Sequence, residues 1–231
     1  MTDAPRPIRT RPRWPWIVGA LALLVVLVVV FALTAPRGGD DRALPATNTP
    51  APTATDTGAS AAQPTGCLGG PKRDAAMVRA AQKAAPHTSS GAVEFTTALV
   101  RWMFRAPTAT PAEADEVSKF AVASDASDSF KDLAAAIAKN PNPSAGVVED
   151  GKPFYLSTVP GVWNLESYEG DTATVSVGSA YVIDGAMSPT LRAASTFTVQ
   201  WENGAWRLVS GEYKRTTQEL FSIGTQFTGG C

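Results

Sequence analysis

Few side chains in this sequence could do acid–base, nucleophilic or metal chemistry. Its 231 residues include one histidine, His87, and two cysteines, Cys67 and Cys231. These are too few for a zinc site of the usual cysteine and histidine kind within one chain, and a serine–histidine–aspartate arrangement would have to use His87. His87 lies in the turn from Pro86 to Gly91, where the sequence favours a capping or surface role over catalysis. We therefore expect no catalytic residue, no metal ligand and no cofactor.

Two groups of charged residues have alternative interpretations. Asp125, Asp128 and Asp132 lie in a serine-rich stretch. They could face a cavity, but three carboxylates in such a patch are more typical of a solvated face or of a helix start. Arg101 and Arg105 are one helical turn apart and could bind an anion. The pattern favours the exposed edge of a helix for both arginines.

Four tryptophans between residues 67 and 231 could line a ligand pocket: Trp102, Trp163, Trp201 and Trp206. Tryptophan on a buried strand face is more often part of the core, because it buries a large apolar surface. From the sequence, both interpretations, pocket or core, stay open.

The part of the chain that can build a core is residues 67–231, which has the length of one ordinary domain. It carries 14 basic and 17 acidic side chains, a net charge of −3. A surface with that balance does not favour nucleic acid, and we expect no nucleic-acid partner.

A membrane span is predicted ahead of this domain. Residues 17–35 form an uncharged apolar run, and a helix of that length covers about 28 Å, close to the hydrocarbon thickness of a bilayer. Residues 1–16 contain four arginines and one aspartate. This bias predicts an arginine-rich cytoplasmic tail, a single-pass helix in the cell membrane and an extracytoplasmic carboxy-terminal domain. The alternative is a cleaved signal peptide, against which the length of the run argues.

Residues 36–66 have the composition of a stalk. They contain five prolines, six threonines and seven alanines, and Leu44 is their single large aliphatic residue. Such a segment cannot bury enough apolar surface to offset the entropy lost on ordering. We expect a disordered Pro/Thr/Ala-rich stalk between membrane and domain.

The two cysteines bracket the domain: Cys67 follows the stalk and Cys231 is the last residue. Oxidation is permitted outside the cytoplasm, so the sequence predicts a disulfide between them. Pairing within one chain is the more economical interpretation. The alternative is pairing between chains in an oligomer.

Helical signals fill the first half of the domain. Glu113 stands three residues after Thr110, so the two predict a capping box, and Pro111 suits the first position of the same helix. A polar patch at Ser124–Ser129 predicts a break. Helices are predicted at Lys72–Ala85, at Ala92–Arg105, from Pro111 onward and at Phe130–Ile137.

Strand signals fill the second half, where apolar residues alternate with polar ones. Asn203 and Gly204 predict a type I′ turn, because both central positions need positive φ. Trp201 then lies opposite Trp206, on a buried face with Phe197, Val199 and Leu208. The predicted strands are Phe154–Ser157, Gly161–Tyr168, Thr172–Ile183 and the two arms of that last hairpin. The fold class is therefore α+β, with amino-terminal helices packed on a curved antiparallel sheet of about four strands.

Two hairpins carry a resemblance to a known family. The last one, residues 197–208 (FTVQWENGAWRL), and the one before it, residues 165–175 (LESYEGDTATV), resemble the closing hairpins of the nuclear transport factor 2-like superfamily. The resemblance covers about residues 91–215 and implies a cone-shaped domain. It is nearly silent on activity, because one fold hosts many functions.

The whole layout is similar to the bitopic scaffold proteins of Gram-positive and actinobacterial conjugative type IV secretion systems. It is also similar to membrane proteins that accompany mammalian-cell-entry lipid importers in actinobacteria. The first resemblance implies a non-enzymatic assembly protein whose domain docks other envelope proteins or self-associates. The alternative is a ligand-binding module for a lipid or an envelope precursor, as in an accessory protein of a lipid importer.

Overall fold

A computed structural model describes residues 62–231. The predicted cytoplasmic tail at 1–16, the predicted span at 17–35 and most of the predicted stalk at 36–66 lie outside the described residues. Within 62–231, no helix combines the length and the apolar character that a membrane crossing requires. The described residues form helices that precede and pack on a strongly curled antiparallel sheet, so the predicted α+β class is confirmed.

Five helices come before the long strands, and each begins where the sequence offers a cap. The hydroxyl of Thr88 accepts a hydrogen bond from Gly91 N at 3.2 Å, and that of Thr110 accepts one from Glu113 N at 3.2 Å. The polar patch after residue 121 separates the third helix from the fourth, as predicted. The helices are α1 (Ala75–Ala84), α2 (Ser89–Met103), α3 (Pro111–Ala121), α4 (Asp128–Lys131) and α5 (Leu133–Lys139).

The sheet has four long strands, joined in sequence as an antiparallel meander. The strands are β1 (Arg105–Ala106), β2 (Phe154–Tyr168), β3 (Thr172–Ile183), β4 (Ala186–Glu202), β5 (Ala205–Glu212) and β6 (Thr225–Gln226). The order across the sheet is β1-β2-β3-β4-β5, and β6 pairs with β2. The short strand β1 pairs with the start of β2, and the short strand β6 pairs near its middle.

The last hairpin has the predicted turn and register. Asn203 and Gly204 have φ of 54° and 78°, which is the geometry of a type I′ turn, and Trp201 pairs with Trp206. The predicted apolar face is buried at Phe197, Val199, Trp206 and Leu208 and partly buried at Trp201.

One strand prediction is wrong in its bounds. We expected Phe154–Ser157 and Gly161–Tyr168 as separate strands, but they form the single strand β2. The register against β3 shifts between Ser157 and Val162. The intervening residues bend the strand without ending it, as a bulge does.

The core lies between the concave face of the sheet and the helices. Helix α2 crosses its centre and is buried at every residue from 91 to 102, as its broad apolar arc predicts.

Glu113 does not have the role that the sequence predicted for it. Its carboxylate does not close a capping box but accepts hydrogen bonds from Ala75 N, Trp102 Nε1 and Arg105 Nη2 at 3.1, 2.9 and 2.8 Å.

A sixth helix, α6 (Thr217–Ile223), was not predicted and packs on the opposite, outer face of the sheet. A β-carbon at Gly178 of β3 would lie 2.7 Å from Val162 and 2.9 Å from Phe221 of α6. The glycine therefore allows the helix to approach the sheet closely. A capping box between Thr216 and Glu219 starts this helix.

The predicted disulfide is confirmed, and it forms within the chain. Cys67 and Cys231 are bonded, with their Cα atoms 5.4 Å apart. The segment that enters the domain is also held by α2, because the Glu94 carboxylate accepts hydrogen bonds from Thr65 Oγ1 at 2.8 Å and Gly66 N at 3.2 Å. The entering and leaving ends of the domain are thus fixed to each other and to the core.

Candidate functional site

Part of β4 lacks a partner strand on one side. Strand β5 pairs with β4 only from Thr196 to Glu202, because the chain leaves the sheet after Glu212. The preceding residues Arg192–Ser195 pair with β3 alone, and within residues 62–231 no other strand covers their second side. We call this segment the free edge of β4.

The register identifies the backbone groups that face outward. In a two-residue hairpin the residues that flank the loop bond to each other, so the N–H and C=O of Glu202 point to β5. Trp201 N donates to Asp171 O at 2.6 Å, on the β3 side, which confirms this alternation. No register shift is found between β3 and β4 from Gln200 to Arg192. Counting back by twos, the N–H and C=O of Ala194 and Arg192 point to the free edge.

A cavity of about 520 Å³ lies along this free edge, and we call it the edge cavity. Its floor and walls carry four aromatic rings, those of Phe104, Phe130, Tyr181 and Phe197. Tyr213, which is 80% exposed, stands at its rim. A volume of this size is typical of sites that bind small molecules.

A second, smaller cavity adjoins the first. Its volume is about 170 Å³, and it lies between α5 and the end of α2. Phe104, Phe130, Pro143 and Phe197 line both cavities, so the apolar surface is continuous from the free edge to Ile137 of α5.

The segment at residues 213–217, which forms one wall of the edge cavity, is held to the sheet by an ion pair between Arg215 and Glu166. Arg215 lies between Tyr213 and Thr217, which both line the edge cavity. Its guanidinium forms two hydrogen bonds with the Glu166 carboxylate of β2, and Ser176 Oγ donates a third to that carboxylate at 2.7 Å. The hydrogen bonds from Arg215 lower the pKa of Glu166 from 4.5 to about 2.

Gly211 makes room for the aromatic wall. The rings of Phe130 and Phe197 meet edge to face, with centroids 6.0 Å apart. A β-carbon at Gly211 would lie 2.8 Å from Phe197 and 2.9 Å from Phe130. Only glycine fits at this point of β5 without moving the two rings.

We expect Gly211→Ala to lower the free energy of unfolding by about 1–2 kcal/mol, because the added methyl group overpacks both rings. The near-ultraviolet circular dichroism of the aromatic residues should change with it. Ser210→Ala is the neighbouring control and should alter neither quantity. An unchanged unfolding midpoint in Gly211→Ala would contradict the close packing.

His87 and the three aspartates do not meet at this site. The His87 ring stacks on Trp201 with centroids 4.4 Å apart, and its Nε2 lies 2.9 Å from Asp171 Oδ1. Asp132 caps α5, where its Oδ1 accepts from Ala135 N at 2.8 Å. Asp125 is exposed, and Asp128 pairs with Lys131 at 2.9 Å. The predicted helix start and solvated face are confirmed.

We expect His87→Ala to lower the free energy of unfolding by about 1 kcal/mol, because it removes a ring stack and a half-exposed polar contact. Chemical denaturation followed by tryptophan fluorescence measures it. Asp171→Asn keeps the stack and the main-chain bond to Trp201. If Asp171→Asn costs as much as His87→Ala, the stack contributes nothing.

The prediction of an exposed helix edge for Arg101 and Arg105 is wrong. Arg101 is 0% exposed, and its Nη2 donates to the carbonyl oxygens of Gly70 and Lys72 at 2.6 and 3.1 Å. Burial, with a smaller effect of nearby Arg73, lowers the pKa of Arg101 to about 10. The Arg105 side chain is 19% exposed and pairs with the Glu113 carboxylate at 2.8 Å. Residues 70–72 cover this face of α2. The spacing of apolar residues within α2 gives no sign of that contact.

The four tryptophans divide between the two predicted roles. Trp206 is fully buried, and Trp163 and Trp201 pack against the core while partly exposed. Trp102 is also buried, and one side of it lines the smaller cavity. The edge cavity itself is lined by phenylalanine and tyrosine, with none of these tryptophans.

Sequence reasoning missed the free edge of β4, although one signal marks it. Thr216 and Glu219 form a capping box, so β5 must end before Thr216. Outward from the turn at Asn203 and Gly204, each residue of β4 can pair with β5 only up to the point where β5 ends. A comparison of the two arms would therefore have shown that β4 extends past its partner.

Within residues 62–231, no group of three or more histidine, cysteine, aspartate or glutamate side chains could hold a metal ion. No protein-family model, no curated protein and no solved structure matches this chain.

Proposed function

We propose that this chain is a non-enzymatic, single-pass membrane protein whose carboxy-terminal domain docks another cell-envelope protein at the edge cavity. The observation that carries the proposal is the open apolar cavity beside an unpaired strand edge, with an exposed tyrosine at its rim. Monomeric domains seldom leave such a surface uncovered without a binding role.

The sequence supplies the setting for this role. The apolar run at 17–35 anchors the chain, the arginines before it keep its start in the cytoplasm, and the stalk lets the domain reach its partner. The disulfide between Cys67 and Cys231 suits an oxidising space outside the cytoplasm. No nucleic acid and no cofactor takes part.

We further propose that the domain is a nuclear transport factor 2-like cone. Helices on the concave face of a curled antiparallel meander support this family, as do the two hairpins that resemble its closing segments. The complex served is a conjugative or secretion assembly in the envelope, by the resemblance of the whole layout to such scaffold proteins.

Photo-crosslinking in intact cells tests the docking function. A photoreactive phenylalanine analogue replaces Tyr213 in the full chain, and a matched variant carries it at Val159, an exposed residue at the bend of β2 that does not line the edge cavity. We expect a discrete adduct with another protein from position 213 and none from position 159. Recovery of the monomer alone from both positions would contradict the proposal.

Binding of a lipid or an envelope precursor is the second candidate, favoured by the continuity of the two cavities over Phe104, Phe130 and Phe197. The full chain, purified in detergent, should then bind a fluorescent fatty acid. Ala193→Leu, which adds volume to the wall of the edge cavity, should weaken that binding. Equal fluorescence with and without the protein would exclude this candidate.

A further inference from the structure

We propose that the free edge of β4 takes up an extended peptide of the partner protein as an additional β-strand, whose apolar side chains enter the edge cavity. This inference rests on the proposed docking function and specifies the chemistry of the partner: an extended segment with an apolar residue at every second position and an acidic residue near Arg192.

The backbone of the free edge has the spacing that a strand needs. Arg192 and Ala194 both direct their N–H and C=O outward, as the register of β4 requires. Residues two apart in one strand meet residues two apart in its neighbour. An incoming strand therefore finds two donors and two acceptors that within residues 62–231 have no strand partner.

The side chains below this edge leave room for those of the peptide. Ala193 and Ser195 alternate with the outward-directed residues and lie on the same face as Phe197, towards the core. Both are small and line the edge cavity, while the rings of Phe130 and Phe197 lie beyond them. Every second side chain of an added strand points to this same face, and apolar side chains fit it.

The shape of the site favours a single strand over a second copy of the domain. Residues of the loop at 143–147 and of the segment at 213–217 line the same cavity as the free edge. Pairing of two identical free edges would therefore bring these segments of one copy against those of the other. A protruding or flexible segment of another protein can enter between the two walls.

The charges at the rim add a preference for an acidic residue. The guanidinium of Arg192 donates to the carbonyl oxygens of Ser188, Pro189 and Leu191, and no carboxylate of residues 62–231 pairs with it. Glu212 and Lys214 at the opposite rim offset each other, 3.9 Å apart. One positive charge therefore stays uncompensated beside the free edge.

Hydrogen exchange of the full chain in lipid nanodiscs tests this inference directly. The probe is a blocked synthetic heptapeptide in which valine alternates with threonine, ending in aspartate. Bound as a strand, it should slow exchange of the Arg192 and Ala194 amides by about tenfold or more. The amides of Ala193 and Ser195 already bond to β3 and should not change. Unchanged exchange at Arg192 and Ala194 with millimolar peptide would overturn the proposal.

Two N-methylated probes test the hydrogen bonds of the peptide. One carries the methyl groups on its threonines and the other on its valines, so that each blocks one edge of the added strand. Only one of the two should lose binding, because a strand faces β4 with one edge only. Loss with the threonine set indicates antiparallel pairing, and loss with the valine set indicates parallel pairing. Equal behaviour of both probes would overturn the proposal.

A variant pair tests the same bonds from the protein side. Ala194→Pro removes the outward N–H at a position where an edge strand tolerates proline, and Ala194→Thr keeps it. We expect peptide affinity to fall at least about tenfold in Ala194→Pro and to change by less than about twofold in Ala194→Thr. Near-ultraviolet circular dichroism verifies the fold, and the exchange measurement on the unmodified chain decides the matter if Ala194→Pro does not fold.

The crosslink from position 213 separates this inference from the docking function. If Ala194→Pro abolishes the crosslink and Ala194→Thr retains it, strand addition is supported. If the crosslink persists in Ala194→Pro, docking stands and strand addition is overturned. If no crosslink forms even with Ala194 in place, the docking function fails, and this inference fails with it.

Discussion

Removal of the Cys67–Cys231 disulfide should lower the free energy of unfolding of the domain by about 3–5 kcal/mol. The two cysteines are 164 residues apart in sequence. Their bond therefore closes almost the whole domain into one loop and restricts the unfolded chain as strongly as a single crosslink can. The double variant Cys67→Ser, Cys231→Ser removes it without leaving a free thiol.

The folded state retains other contacts at the same place. Thr228 N donates to Pro64 O at 3.1 Å, and Cys231 N donates to Thr158 Oγ1 at 3.0 Å. These hydrogen bonds and the Glu94 contacts should keep the double variant folded at 25 °C, with faster hydrogen exchange at residues 227–231. The large effect is expected on the unfolding equilibrium and not on the native structure.

Chemical denaturation of the full chain in detergent, followed by circular dichroism, measures this loss. Wild-type protein treated with a reductant is the control and should unfold at the midpoint of the double variant. A wild-type midpoint that a reductant leaves unchanged, together with a double variant of equal stability, would show that the bond contributes nothing.

Features fixed by neighbouring residues could be predicted from the sequence. The turn at Asn203 and Gly204 depends on two residues that tolerate positive φ, and its register then follows from alternation. Thr88 and Thr110 act as caps because their hydroxyls reach an amide three residues ahead. The α+β class and the last hairpin belong to this group. The disulfide could be predicted for another reason, because the chain has only two cysteines and they bracket the domain.

Features created by contacts between distant segments could not be predicted. Glu113 has the spacing from Thr110 that a capping box requires. In the fold, however, Trp102 and Arg105 donate hydrogen bonds to its carboxylate. Arg101 has the charge of a surface residue, yet carbonyl oxygens some thirty residues earlier surround it.

The candidate site belongs to this second group as well. Phe104, Phe130 and Phe197 come from a helix end, a short helix and a strand, and no motif joins them in sequence. The free edge of β4 is a difference in length between two strands. Neither feature has a residue pattern of its own, which is why reasoning from motifs centred on His87 and the tryptophans passed over both.

The Glu166–Arg215 pair should make the stability of the domain depend on pH between about 5 and 2. Glu166 has a pKa of about 2 in the fold and 4.5 ordinarily. A lowered pKa means that the ionised carboxylate stabilises the folded state. The contribution is complete above about pH 5 and is lost as the pH falls towards 2.

Arg215→Ala should remove most of this contribution, because the hydrogen bonds from Arg215 are the largest cause of the shift. The Glu166 side chain is 3% exposed and that of Arg215 is 31% exposed. The partly exposed guanidinium is screened by solvent, so we expect a moderate decrease in the free energy of unfolding at pH 7. Ser176 still donates to the carboxylate and limits the loss.

The measurement is the free energy of unfolding at a series of pH values, compared as wild type minus variant. For Arg215→Ala this difference should be positive at pH 7 and should shrink towards zero near pH 2. Lys152→Ala is the matched control, since its pair with Glu149 is at least half-exposed on both sides, and such pairs contribute about 0–1 kcal/mol. A difference for Arg215→Ala that stays constant with pH would show that the Glu166 charge is not what holds the segment from Tyr213 to Thr217 against the sheet. The wall of the edge cavity would then depend on the packing of α6 alone.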